Sequence, residues 1–386
     1  MSSSFWPTKD QELLLRACLL SGNEAVTAWR QWKSIFESEC FDEASRRLLP
    51  LLYRNLKNLE TPEPLITKLK DEYFYTWSQN QFCLRGIAGL IDEFNKAEIR
   101  NMLLKGSALA ILYYEDVGLR PMKDIDLMVR HNQVERAMQL LRMLGWKPRY
   151  ASPEALVPFE QATEFVDPLN QHVDLHWRLM WEARQDLDDD EFWQASIPMQ
   201  FNGTQTESLN SADQLLHVCV HGAKWNDTSS LRWIADAMMI IRSQKLKLDW
   251  TRLVHQAQKR QLTLPMRETL SYLNTLLDAN VPPEVLTGLK GTKTTRTERW
   301  SYRTRLGAND PLKMLAVVWH WFNSLRVDCE GNVLQRLSQF SRYLQSLWSV
   351  TDPWKVPFYL IGKPVKRVCY SIKANLTSSS PSRSQN

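Results

Sequence analysis

The sequence predicts an α+β protein: a small mixed sheet with its own helices, flanked by N- and C-terminal helical regions. Three observations predict it. Apolar residues recur at helical spacing up to about residue 97, the pattern switches to strand-like alternation between about 98 and 205, and helical spacing returns from about 206. The expected organisation is a helical region over 1–97, a sheet-containing core over 98–205, a helical region over 206–350 and a basic tail over 351–386.

In the first region, Leu13, Leu14, Ala17, Cys18 and Leu20 follow helical spacing, as do Leu48, Leu49, Leu51, Leu52 and Leu56 around Pro50. Pro62 and Pro64 break the chain before a long uninterrupted segment, Leu65 to Ala97. Ile99–Leu104 then reads as a short buried strand, and Lys105-Gly106-Ser107 turns into an apolar helix over Ala108–Tyr114. Asp124–Val129 alternates polar and apolar residues, as a half-buried strand does. Asn132 is placed to cap a helix over Gln133–Leu144 that ends at Gly145. Ala162–Val166 and His172–Leu179 read as further strands, the second with His172, Asp174, His176 and Arg178 on one face. Ser211-Ala-Asp-Gln214 has the form of a capping box opening a helix with Leu215, Leu216, Val218 and Cys219 inward. A second helix, about Leu231–Ser243, carries Trp233, Ala237 and Ile240, and helical patterns continue through 250–290 and 310–349.

Composition narrows the function. With 44% hydrophobic and 24% charged residues in 386, the chain can fill a core, and no run approaches the ~18 apolar residues of a spanning helix. Six scattered cysteines without a CxxC pair argue against a disulfide framework or zinc ribbon and for thiols in a reducing cytoplasm. The net charge of +5 sits in the tail: residues 351–386 hold six basic side chains and one acid, so the rest is neutral. A neutral body disfavours a processive DNA or RNA polymerase, and no DNA partner is expected. Lys355, Lys363, Lys366 and Arg367 around the apolar run Val356–Ile361 suit peripheral contact with an anionic membrane through 355–373, at about 1 kcal/mol per basic residue near the surface. There is no GxxxxGK[ST] loop, which disfavours a P-loop ATPase.

The chemistry concentrates in one constellation. Gly106 has no side chain, so a phosphate can approach its backbone, and Ser107 offers a hydroxyl at a helix mouth that favours anions. Asp124 and Asp126 stand two apart on a strand, about 6–7 Å along it, and project from one face. Two such carboxylates can bracket divalent cations, and Asp174 on a later strand could complete a two-metal site. His217-x-x-x-His221 has zinc-ligand spacing but no glutamate or third ligand beside it, so packing or substrate contact is the simpler reading. The acidic run Asp186–Glu191 suits a solvated helix start.

These residues resemble the polymerase-β-type nucleotidyltransferase superfamily. The blocks "LLKGSALAILYYEDVGLRPMKDIDLMV", "HVDLHW" and "LLHVCVHGAKWNDTSSLRWIADAMMII", with "RRLLPLLYRNL" before them, are similar to an uncharacterised bacterial nucleotidyltransferase family often associated with polysaccharide and other biosynthetic gene clusters. The resemblance spans about residues 10–245 and implies a nucleotidyltransferase-type sheet. It further implies that Asp124, Asp126 and Asp174 are the catalytic carboxylates and ligands of Mg²⁺ or Mn²⁺, and that Gly106 and Ser107 form the nucleotide-phosphate loop. Lys105 and Arg120 flank that loop and are placed to neutralise phosphate charge. His217, His221 and Lys224 lie on one helical stripe, with His221 and Lys224 expected at the nucleotide, and Arg232 and Asp236 form a similar pair on the next helix. Lys123, next to the first aspartate, is placed to pair with a carboxylate and weaken cation binding. The implied reaction moves a nucleoside monophosphate from an NTP to a small-molecule, sugar-phosphate or protein acceptor. A glycosyltransferase using its DxD for a nucleotide-sugar and a degenerate nucleotide-binding scaffold are the alternatives.

Overall fold

A computed structural model of the protein describes residues 6–39, 41–57, 63–150, 152–157, 160–180, 189–222 and 231–306, with residues 338, 345 and 352 besides. The chain divides into two units, Met1–Ala308 and Asn309–Asn386. The helices expected over 310–349 and the basic segment 355–373 fall in the second, almost wholly outside the described residues.

Four helices open the first unit: α1 (Lys9–Leu19), α2 (Gly22–Glu37), α3 (Glu43–Arg46) and α4 (Leu49–Leu56). Thr8 and Gln11 close a capping box on α1, and Asp42 caps α3 through the Ser45 N–H. Pro50 sits in the first turn of α4, where its missing N–H leaves no hydrogen bond unmade. The long segment without internal proline forms α5 (Glu63–Lys96), 34 residues.

The sheet begins at β1 (Asn101–Leu103), followed by α6 (Lys105–Leu109), which widens into a π-helical turn over Ala110–Tyr114. Next come β2 (Ile125–Val129), α7 (Val134–Met143), β3 (Lys147–Pro148), β4 (Ala162–Val166) and β5 (His172–His176). A short 3-10 turn, His131–Gln133, leads into α7 with no side-chain cap, so Asn132 does not serve the role its type suggests. Gly145 ends that helix at a φ of +86°, a conformation glycine adopts freely. After α8 (Asp190–Gln194), a hairpin of β6 (Ile197–Phe201) and β7 (Thr204–Ser208) completes a seven-stranded sheet of order β3-β4-β5-β2-β1-β7-β6. Its neighbours pair antiparallel except β1–β7 and β2–β5, which run parallel.

Helices α9 (Ser211–Gly222), α10 (Arg232–Ile241), α11 (Trp250–Lys259), α12 (Thr263–Leu277), α13 (Pro283–Gly291) and α14 (Arg296–Leu306) follow. The cap of α9 is Asn210, one residue before the expected Ser211: its Oδ1 accepts from the N–H groups of Ala212 and Asp213. All of α9 except His221 is buried, so the polar positions of this helix lie inside the protein. No described helix is long and apolar enough to cross a membrane.

Two apolar clusters cover the two faces of the sheet. On one, Ile125, Leu127, Val129, Val173 and Leu175 pack with Leu84, Ile87, Ile91 and Phe94 of α5 and with α7. On the other, Met102, Leu104 and Met128 join a larger core built from α1, α2, α4, α9, α10 and α12. The N-terminal helices and the helices after the sheet therefore share one core. Asp126 projects from β2 toward that second face, between Leu104 and Met128, because alternate residues of a strand face opposite ways.

The loop from β1–α6 back to β2 is pinned from behind by Asn80 of α5, which is fully buried. Its amide donates to the carbonyls of Val117 (2.5 Å) and Arg120 (2.8 Å), and its Oδ1 accepts from the Met122 N–H (3.2 Å). Replacing Asn80 by alanine strands two buried backbone groups, the Arg120 carbonyl and the Met122 N–H, each worth about 1–3 kcal/mol when left unsatisfied, and frees the half-buried Val117 carbonyl. Asn80→Ala should lower unfolding free energy in urea by at least about 2 kcal/mol. An unchanged midpoint would show that the loop is held by other contacts.

Candidate active site

β2 and β5 pair parallel and in register, with Asp126 directly opposite Asp174. Neighbouring strands run about 4.8 Å apart, so the two carboxylates are set side by side on one face. His176, two residues further on, shares that face. Ligand atoms of Asp126, Asp174 and His176 lie within 4.8 Å of one another.

Asp126 is buried, and a buried carboxylate is costly unless its charge is met. Two groups meet it on the same oxygen: Lys105 Nζ donates to Oδ1 at 2.5 Å, and His176 Nε2 lies 3.0 Å from Oδ1. Burial opposes ionisation of Asp126, but Lys105 and His176 outweigh it and hold the carboxyl far below the usual range. Lys105 reaches this position from the first residue of α6, at a φ of +42°. Left-handed backbone costs a lysine about 1–2 kcal/mol. Burial lowers the Lys105 pKa, and the carboxylates around it, Asp126 foremost, more than restore it.

Asp124 lies just before β2, more exposed, on the same face as Asp126. Desolvation and the neighbouring Asp126 carboxylate raise its pKa, and the same two causes raise that of Asp174. Of the three expected catalytic carboxylates, Asp126 and Asp174 are brought together. Asp124 stands outside the group of close ligand atoms, whose third member is His176. Two carboxylates and an imidazole at this spacing fit a divalent cation, with oxygen donors suited to Mg²⁺ or Mn²⁺.

Asp124 and Asp126 open onto a cleft of ≈ 150 Å³ whose other walls include Lys105, Gly106, His217, His221 and Arg232. Gly106 is required by packing: a Cβ there would lie 2.7 Å from Arg120 Nη1 and 3.1 Å from Met122. Arg120 cannot yield, because Asp236 grips its guanidinium with two hydrogen bonds of 2.8 Å, both residues buried. The Tyr114 hydroxyl, projected from the π-helical turn, also donates to Asp236 at 2.8 Å.

Several expected roles change accordingly. Arg120 lines the cleft but spends its charge on Asp236 rather than on a phosphate. Arg232 is not the partner of Asp236; its Nη1 donates to the Pro121 carbonyl at 3.0 Å. Burial and the adjacent Arg120 guanidinium push Arg232 down to about 10, still charged at neutral pH. The Ser107 hydroxyl is buried and turned back to the Leu104 carbonyl at 3.3 Å, so this residue offers the cleft no hydroxyl. Lys123 points away to Glu43 at 3.3 Å and is 71% exposed, so it does not touch the aspartates. His217 and His221 both line the cleft, their rings 6.0 Å apart. Lys224 lies outside the described residues.

Glu164, His172 and Arg149 extend the polar face beyond Asp174. Glu164 pairs in register with Asp174, its Oε1 lies 2.6 Å from His172 Nδ1, and its Oε2 accepts from Arg149 at 2.8 Å. Sequence spacing placed His172 on this face but carried no signal for Glu164 or Arg149, whose contacts depend on the β4–β5 register.

Two stability effects follow. Asp236→Ala leaves Arg120 as an unpaired buried cation and should cost about 3–5 kcal/mol in chemical denaturation. Asp174 behaves oppositely. A carboxyl whose pKa is raised by folding destabilises the fold above that pKa, and the penalty vanishes as pH falls through it. Asp174→Asn should therefore raise the metal-free melting temperature at neutral pH, with the gain shrinking toward acid. A loss at neutral pH would show that the charge on Asp174 is stabilising.

Among functionally curated proteins none matches the sequence. Solved structures that resemble parts of it include the following three. The lincomycin-bound lincosamide antibiotic adenylyltransferase LnuA is 15% identical, over 41% of this chain and 96% of that one, with a TM-score of 0.30. An antigenic nucleotidyltransferase-like protein from Paracoccidioides brasiliensis is 14% identical, over 55% and 94%, with a TM-score of 0.31. The antibiotic-resistance factor ANT(2'')-Ia is 12% identical, over 52% and 98%, with a TM-score of 0.32. A family profile described as uncharacterised nucleotidyltransferase matches residues 44–278, more than half of the chain and all of the site just described, and the protein belongs to that nucleotidyltransferase family.

Proposed function

We propose that the protein transfers a nucleoside monophosphate from an NTP to an acceptor and releases pyrophosphate, using Asp126 and Asp174 to hold a divalent cation. The supporting observation is the in-register pair Asp126–Asp174 with its close ligand atoms, of which Asp126 lines a cleft together with Lys105 and Arg232. A divalent cation there would lower the pKa of an attacking hydroxyl and neutralise charge on the phosphates.

The chain's own residues supply the rest. Lys105 and Arg232 face the cleft as cations for the triphosphate. Gly106 and Ser107 act through backbone N–H groups of the first turn of α6, which has no side-chain cap. Asp124, beside Asp126 at the mouth, aligns the loaded triphosphate. His221 contacts the nucleotide from α9, and Lys224 is assigned the same task from its place in the sequence. Arg120 holds the loop in shape through Asp236. Asp174 stands on the acceptor side, and its raised pKa suits it to take the acceptor's proton as the acceptor oxygen or nitrogen bonds to the α-phosphorus. The bond from that phosphorus to the β-bridging oxygen breaks, and pyrophosphate carries the electron pair away. Catalysis of this kind rests on positioning and charge neutralisation.

The acceptor is a small molecule, a sugar phosphate or a protein, in polysaccharide or other specialised biosynthesis in the cytoplasm, with the tail 355–373 offering membrane contact. One observation favours a nucleotide-binding scaffold instead: Lys105 already occupies Asp126.

The test is incubation with each α-labelled NTP, Mg²⁺ or Mn²⁺ and a cell extract. Wild-type protein should label an acceptor and release pyrophosphate, and Asp126→Asn and Asp174→Asn should each reduce labelling by at least about 10²–10³-fold with the fold intact by circular dichroism. Labelling that survives either substitution removes the assigned chemistry. NTP binding without pyrophosphate release across a broad acceptor panel supports the scaffold.

A further inference from the structure

Lys105 occupies an unusual position. Its ammonium donates to Asp126 Oδ1 at 2.5 Å, the oxygen that His176 also approaches at 3.0 Å, and Asp174 lies beside that carboxylate in register. The positive charge that a cation would bring to the carboxylate pair is thus already supplied by the chain. The same side chain lines the cleft and is 22% exposed, so it can leave Asp126 without unfolding α6. A positive φ at residue 105, where most side chains are disfavoured, is what carries the lysine to this carboxylate.

Resting on the reading of Asp126–Asp174 as a cation site, we infer that Lys105 is an exchangeable counter-ion. It neutralises Asp126 while the site holds no divalent cation, yields that carboxylate when one binds, and turns to the triphosphate in the cleft. No bond is made or broken in this exchange; one charge on Asp126 replaces another. Three consequences follow. Binding of a divalent cation to the nucleotide-free protein is held weak, because it must displace an ammonium already in hydrogen-bond contact. A triphosphate offers the displaced ammonium a second anionic partner, so cation and nucleotide strengthen each other's binding, and this coupling is reciprocal. A neutral side chain at 105 removes the competitor and with it the coupling.

The experiment is titration of nucleotide-free protein with Mn²⁺, reading free Mn²⁺ by electron paramagnetic resonance. Wild type, Asp126→Asn, Lys105→Met, and Lys105→Met combined with Asp126→Asn are compared. Lys105→Met preserves most of the side chain's length and apolar stem. It should bind one Mn²⁺ at least tenfold more tightly than wild type, and the gain should vanish when Asp126→Asn is added. Lys105→Gln serves if the methionine variant is poorly folded, and the melting temperature of either variant should rise more with Mn²⁺ than that of wild type. Equal or weaker Mn²⁺ binding by both variants, with Asp126-dependent binding retained in wild type, overturns the exchange and leaves the cation site standing. If neither wild type nor the Lys105 variants bind Mn²⁺ through Asp126, with or without a non-hydrolysable NTP, the exchange and the proposed function fall together.

Discussion

Two carboxylates held side by side on adjacent parallel strands repel each other, and the rest of the site is arranged around that repulsion. Asp126 stays ionised because Lys105 and His176 converge on one of its oxygens. Asp174 and Asp124 have no such partner among the described residues, and their pKa values rise. The result is a graded set: one carboxylate charged under all ordinary conditions, and two that ionise less readily beside it. Natural sites of this kind give up stability for function, since a neutral pair would fold at lower cost.

The fold makes that arrangement rigid from both sides. Behind the sheet, α5 and α7 pack on Leu127, Val129 and Leu175, and Asn80 of α5 ties down the loop that leads to Asp124. In front, α9 and α10 close over β1 and β2, bringing His217, His221 and Arg232 to the cleft. The buried Arg120–Asp236 pair joins the loop to α10, with Tyr114 as a third member. A shift in α10 would therefore be felt at Gly106, where Arg120 and Met122 leave no room for a side chain.

Much of this was legible in the sequence because it is written locally. Period-two alternation in Asp124–Val129 and His172–Leu179 places Asp126, Asp174 and His176 on their faces without reference to anything distant. The long helix before the sheet follows from an uninterrupted segment after Pro64. The β6–β7 hairpin also carries a local signal: Asn202-Gly203 at φ of +44° and +88°, the dipeptide that favours a two-residue hairpin turn. Other features were not written locally. Arg120 meets Asp236 across 116 positions, so the helical i,i+4 spacing of Arg232 and Asp236 suggested the wrong partner. Ser107 looked like a phosphate ligand by type, but its hydroxyl closes the turn onto Leu104. Lys123 is beside the first aspartate in sequence yet extends to Glu43, while Lys105, 21 positions from Asp126, makes the contact.

We propose that Asp126 and Asp174 together form a cation site on which nucleotide chemistry depends. The most direct measurement is a crystal structure with Mn²⁺ and a non-hydrolysable NTP, with data collected at the manganese absorption edge. An anomalous peak bridging the carboxylates of Asp126 and Asp174, with the triphosphate in the cleft beside Arg232, is the predicted result. A peak elsewhere, or a bound nucleotide with Lys105 still on Asp126 and no peak at the pair, would contradict it.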